Sequence, residues 1–158
     1  MIKQSGQTLL EILLAFGVSI IVLSAIILGI TTSLSNVQYS KNQGLATFFA
    51  QEEMAAIRQI RDSSWAGFSA VSNGSHCFSQ NLGIVDYDGN NCANSGTVGI
   101  FVRRLEIAQS SSDCSSGSKV TVTVSWADGK CPTGTGNPFC HSVILISCFS
   151  NIDQKSNP

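Results

Sequence analysis

The sequence predicts an α+β protein, in which a long N-terminal helix packs on a small antiparallel β-sheet with disulfide-stapled loops. Three observations carry this. The run from Leu9 to Ile30 is 22 residues with one charged side chain, Glu11. A helical pattern continues past it to about Asp62, and all six cysteines lie at or beyond Cys77 among short β-rich stretches. At 158 residues the chain has room for one membrane-length helix and one domain of about 100 residues.

Element by element, Met1 to Gly6 is a short polar leader holding Lys3. The apolar run that follows is about 33 Å long as a helix at roughly 1.5 Å per residue. That is enough to cross a hydrocarbon core of about 30 Å. A carboxylate inside such a run is costly unless it finds a partner, which makes Glu11 a functional residue by default. An ordinary secretory signal has a shorter apolar core and ends at a small-residue cleavage site. A plain single-pass anchor explains the length but neither the placement of Gly6 nor that of Glu11.

Ser5-Gly6-Gln7-Thr8-Leu9-Leu10-Glu11-Ile12-Leu13 resembles the processing and methylation signal of type IV pilins and of the pseudopilins of type II secretion. The resemblance implies that a membrane prepilin peptidase cuts after Gly6 and methylates the new amino terminus on Gln7. Glu11 is then the acid five residues into the mature chain. The sequence departs from the family at Gln7, where phenylalanine is usual; cleavage depends chiefly on the glycine. The implied organisation is a leader at 1–6, a transmembrane and filament-core helix at 7–40, and a periplasmic or extracellular domain at 41–158 that includes the second half of the helix. The implied partners are other pilin subunits, the cytoplasmic membrane before assembly, the peptidase and the pilus assembly machinery. A major pilin, a minor tip or adhesin pilin and a secretion pseudopilin share all of these features.

In a filament core, each new N-terminal ammonium can sit near a neighbour's carboxylate, neutralising both where the dielectric constant is low. Glu11 would then select correctly staggered subunits. The first cysteine follows the apolar run by many residues, and six cysteines in a small domain read as a disulfide framework in an oxidising exterior. Lys3 stays inside, as the positive-inside rule requires. Formal charge is −1, and no basic patch with interleaved aromatics is present, so no nucleic-acid partner is expected.

Beyond the apolar run, Leu45, Phe48, Phe49, Ala56 and Ile60 recur at three- and four-residue steps and predict the stripe on which the domain packs. Gly29 to Ser33 are the weakest helix formers of the spine. The segment from Ala50 to Trp65 resembles a second stretch found in some bacterial pilin-like proteins; read from its residues alone it is an amphipathic helix ending at a Ser-rich turn. Arg58 and Arg61 are expected to be solvated or paired with a neighbouring subunit.

Residues 73–97 read as an irregular excursion. Three strands follow, Thr97 to Ile107, Lys119 to Ala127 and Ser142 to Phe149. Alternation places Val120, Val122, Val124 and Trp126 on one face. If the last two strands form a hairpin, Cys131 and Cys140 close its long connection, and Cys114 comes near Cys148 at the other end. Cys77 and Cys92 remain to staple the excursion.

Catalysis has no visible basis: His76 and His141 read as loop residues with no acid and nucleophile in sequence reach, and the chain is not expected to be an enzyme. No metal or cofactor is expected either, since there is no C-x-x-C and no finger-like histidine spacing. Asp86, Asp88 and Asn90 around Gly89 are weak calcium candidates. Asn91 and Thr97 stand where an EF-hand needs glycine and glutamate, and a polar turn satisfies the same residues.

Overall fold

The computed structural model describes residues 5–89, 91–114, 117–129, 131–132 and 138–151, with side chains from Thr8 onward. Helix α1 spans Ser5–Ser63 and helix α2 spans Trp65–Ser69. Six strands follow: β1 (Gly74–Phe78), β2 (Ile84–Asp86), β3 (Thr97–Val98), β4 (Phe101–Ala108), β5 (Ser118–Trp126) and β6 (His141–Phe149). The chain divides into two units, Met1–Asn42 and Gln43–Pro158. Within the first, every described side chain from Thr8 to Leu34 is exposed.

The second unit is an antiparallel sheet in the order β2-β1-β4-β5-β6, with β3 paired to β4, against which the domain half of α1 packs. Alternation decides the inner face. Val120, Val122, Val124 and Trp126 of β5 are buried, and their partners across the ladder are Ile107, Leu105, Arg103 and Phe101 of β4. The helix brings Ala46, Ala50, Met54 and Ile57, spaced three or four residues apart on one face. Ser64 ends α1: its backbone turns extended, at φ −161° and ψ 104°, and its hydroxyl accepts from the Gly67 N–H at 3.0 Å to cap α2.

The stripe lies partly elsewhere than the periodicity predicts. Phe49, Ala56 and Ile60 pack against the core, but Leu45 and Phe48 remain exposed at 38% and 58%. The buried face is centred on smaller residues, Ala46 and Ala50, which a hydropathy pattern ranks below Leu45 and Phe48.

Residues 73–97 are not irregular. Gly74 to Cys77 of β1 pair with Ile107 to Arg104 of β4, and β2 adds to the free side of β1. Their hairpin turns through Leu82 at φ +58°, closed by Ser79 N–H to Gly83 O at 2.9 Å. Strands this short are held by register on β4 and by burial of Cys77 and Phe78, which local composition does not report. The strand predicted from Thr97 to Ile107 is also broken. Gly99, at φ +61°, folds β3 back so that Val98 pairs with Phe101 and Thr97 with Val102.

Three disulfides join Cys77 to Cys92, Cys114 to Cys148 and Cys131 to Cys140. The β5–β6 register explains two of them. Lys119 lies opposite Cys148, so the loop entering β5 delivers Cys114 to the end of β6; Trp126 lies opposite His141, so the far connection brings Cys131 to Cys140.

Candidate functional site

The N-terminal half of α1 owes its helicity to an almost uninterrupted apolar run in which the few hydroxyls are returned to the backbone. Ser19 donates to Ala15 O and Ser24 to Ile20 O, both at 2.8 Å, and Thr31 and Thr32 both donate to Leu28 O. Such back-bonding hides the polar atoms from an apolar surround. The helix runs through Gly29 to Ser33, its stretch of weakest propensity, without a break.

The Gly6–Gln7 junction lies in the first turns of this helix; Met1 to Gln4 and the side chains of Ser5, Gly6 and Gln7 lie outside what is described. Glu11 is exposed among Leu9, Leu10, Ile12, Leu13 and Leu14, each more than half exposed, and among the described residues it has no ion pair. The helix is long and apolar enough to cross a membrane, judged by length and composition. An apolar surface this extensive marks a membrane or a protein partner, and a single carboxylate within it is stabilised only by an opposite charge or by water. No family model matches the chain, and no curated protein or solved structure matches it.

In the second unit, two of the three calcium candidates, Asp86 and Asp88, are described. Asp86 is exposed on β2 opposite His76, and Asn90 lies outside the described residues. The Asp88 carboxylate caps the turn after it. One oxygen accepts from Cys92 N–H at 2.9 Å, and the other from Asn94 N–H, Ser95 N–H and the Ser95 hydroxyl at 3.0 to 3.3 Å. The carboxylate therefore faces donors from its own loop.

Neither histidine is a loop residue. His76 is buried in β1 with Nε2 2.8 Å from Ser72 O. His141 opens β6, stacks on Trp126 with ring centroids 5.3 Å apart, and places Nε2 3.1 Å from Asp128 Oδ2. The acid near His141 was invisible in sequence because thirteen positions and a long connection separate the two. Arg61 is satisfied within its own chain. Its guanidinium meets Asp62 at 2.7 Å and lies over the Phe149 ring at 5.2 Å, while Arg58 is exposed.

Sequence reading also missed a buried contact between a carboxyl and a guanidinium. Glu53 sits on the domain-facing side of α1, where its neighbours one turn away are Ala50 and Ile57, and Arg103 of β4 approaches it. The signal was the phase: Arg103 alternates with Phe101, Leu105 and Ile107 on the inner face. On the outer face, Asn91, Val102, Arg104, Thr123, Ser125 and Phe139 line a cleft of about 70 Å³. It is large enough for a few ordered waters.

Proposed function

We propose that this chain is a structural subunit of a type IV pilus-like filament, held in the cytoplasmic membrane by the apolar half of α1, processed after Gly6 and polymerised through that same helix. The observation that carries the reading is the isolated Glu11 within an exposed, membrane-length apolar helix, five positions after Gly6. In this reading the cut after Gly6 frees an ammonium on Gln7, and the carboxylate of a neighbouring Glu11 receives it in the filament core. Stranding one member of such a buried pair costs about 3–5 kcal/mol, which favours staggered packing in which the charges meet. The disulfide-stapled domain forms the outer surface, in an oxidising compartment where such bridges persist. The chain has no enzymatic role in this reading; its N-terminal chemistry is done on it by the prepilin peptidase.

A pseudopilin of a type II secretion system uses the same segment and remains the alternative within this class. A minor tip pilin whose cysteine-rich loops bind a surface or ligand is a further alternative built on the same N-terminal segment. The test is Glu11→Val in the native cell. Membrane insertion and cleavage after Gly6 are expected to persist while filament yield falls; a normal filament yield would contradict the pairing role.

A further inference from the structure

The connection between β5 and β6 gathers four metal-ligating groups. Asp128, Cys131, Cys140 and His141 each bring one ligand atom, and these atoms all lie within 4.8 Å of one another. Contacts of the fold hold three of them in place. His141 is set by its pairing opposite Trp126 and by the ring stack on it. Asp128 and Cys131 are tied by a turn in which Cys131 N–H donates to Asp128 O at 3.2 Å. Asp128 N–H in turn points at Cys131 Sγ, 3.3 Å away, a donor placed to stabilise negative charge on that sulfur. The group is partly open to solvent, so both a reductant and an ion can reach it.

We propose that these four residues form a tetrahedral zinc site whenever the Cys131–Cys140 bridge is reduced, so that the connection is closed by a disulfide in one redox state and by a metal ion in the other. Two thiolates, one imidazole and one carboxylate are ligand types that zinc accepts in four-coordinate sites, at bonds of about 2.0–2.3 Å. Those bonds put neighbouring ligand atoms roughly 3.3–3.8 Å apart in a tetrahedron. From the disulfide form, the two sulfurs move apart and the more distant ligand atoms draw in by up to about 1.5 Å. The chemistry balances with a dithiol reductant. It gives two electrons and two protons to the S–S bond, which becomes two thiols, and closes to its own cyclic disulfide. Zn²⁺ then displaces the two thiol protons to solvent as it binds.

The other cysteine-acid group of the domain is a useful contrast. Cys77 and Cys92 are fully buried, and the Asp88 carboxylate beside them already faces four donors of its own loop. Among the described residues this group has no histidine.

The proposal is independent of the filament reading and is tested on the full chain in detergent micelles. The chain is reduced anaerobically with a phosphine and alkylated with and without Zn²⁺, and each cysteine's rate is followed by peptide mass spectrometry. Zinc is expected to slow alkylation of Cys131 and Cys140 by about tenfold or more while leaving Cys77, Cys92, Cys114 and Cys148 unchanged. His141→Ala and Asp128→Ala keep both thiols, and each is expected to lose most of that protection at the same zinc concentration. Cobalt in place of zinc should give the visible d–d bands of a tetrahedral thiolate site in the wild type and lose them in His141→Ala. Zinc-insensitive alkylation, uniform protection of all six thiols, or protection unchanged in the His141 and Asp128 variants would each overturn the site; a chain that unfolds on reduction gives the first of these results.

Discussion

Glu53 of α1 and Arg103 of β4 meet inside the domain, Glu53 Oε1 lying 3.5 Å from Arg103 Nε with both side chains almost wholly removed from solvent. At that distance the contact is not a good hydrogen bond, and among the described residues neither Glu53 oxygen receives a hydrogen-bond donor. Arg103 is anchored elsewhere, donating to Ser79 O at 2.7 Å and lying over the Phe78 ring. Burial therefore dominates Glu53. Loss of water pushes its carboxyl up, Arg103 pulls it part of the way back down and Glu52 adds a smaller upward push, which together leave it raised from 4.5 to about 8. Glu53 lies in the domain half of α1, well past the apolar run that ends at Ile30.

The sign of the resulting pH dependence follows from a folded-state value raised above the unfolded one. The fold favours the protonated carboxyl, so this contribution to stability is fully present below about pH 4.5 and is lost progressively as pH rises through about 8. Glu53→Gln keeps the shape and cannot titrate. Subtracting its thermal-melting profile from that of the wild-type chain, in micelles between pH 4 and 9, should leave a wild-type stability that declines across this window. A flat difference would contradict the burial argument.

Gly117 tests the loop entering β5. It adopts φ +114°, and a side chain there would run into the Phe149 carbonyl of β6. Gly117→Ala should destabilise the domain by at least about 1–3 kcal/mol through the backbone conformation alone. A chemical-denaturation midpoint equal to that of the wild type would show that the loop repositions freely.

The bridges should differ in weight. On loop-closure entropy, the Cys114–Cys148 bridge, 34 positions apart, contributes about 3.8 kcal/mol, against about 2.6 kcal/mol for Cys131–Cys140, whose span is 9. The paired variant Cys114→Ala/Cys148→Ala should therefore lose more stability than Cys131→Ala/Cys140→Ala, by about 1 kcal/mol in denaturant titrations. The opposite ranking would place the weight on the β5–β6 connection instead.

What the sequence made legible, and what it hid, separates by range of interaction. The long helix and the β5–β6 pair were readable because apolar run and strict alternation are local signals, and the hairpin they imply brings Cys114 to Cys148 and Cys131 to Cys140. Strands β1 and β2 were hidden because Gly74 to Asp86 is rich in small polar residues, and its strand character comes from pairing with β4. The β3–β4 turn was hidden because Gly99 looks like an interruption within an apolar strand, not a reversal. Glu53 was overlooked because a glutamate on a helix is ordinarily solvated, and only the position of the sheet reveals that this one faces inward. Of the N-terminal segment, Gly6 and Glu11 stood out in the sequence because the chemistry around them is so uniform.

Processing at Gly6 makes a separate demand. Gly6→Leu should leave the leader attached in the membrane fraction, visible as an intact mass larger by residues 1–6. A normally shortened product from that variant would move the cleavage elsewhere.

The most direct test of the filament reading is N-terminal peptide and intact mass spectrometry on sheared surface filaments from the native cell, alongside its membrane fraction. The reading predicts chains that begin at Gln7 in the filaments, with the methylation state of that residue read from the same spectrum. Processed chains confined to the membrane would point to a pseudopilin, and chains that still begin at Met1 and never enter filaments would contradict the account.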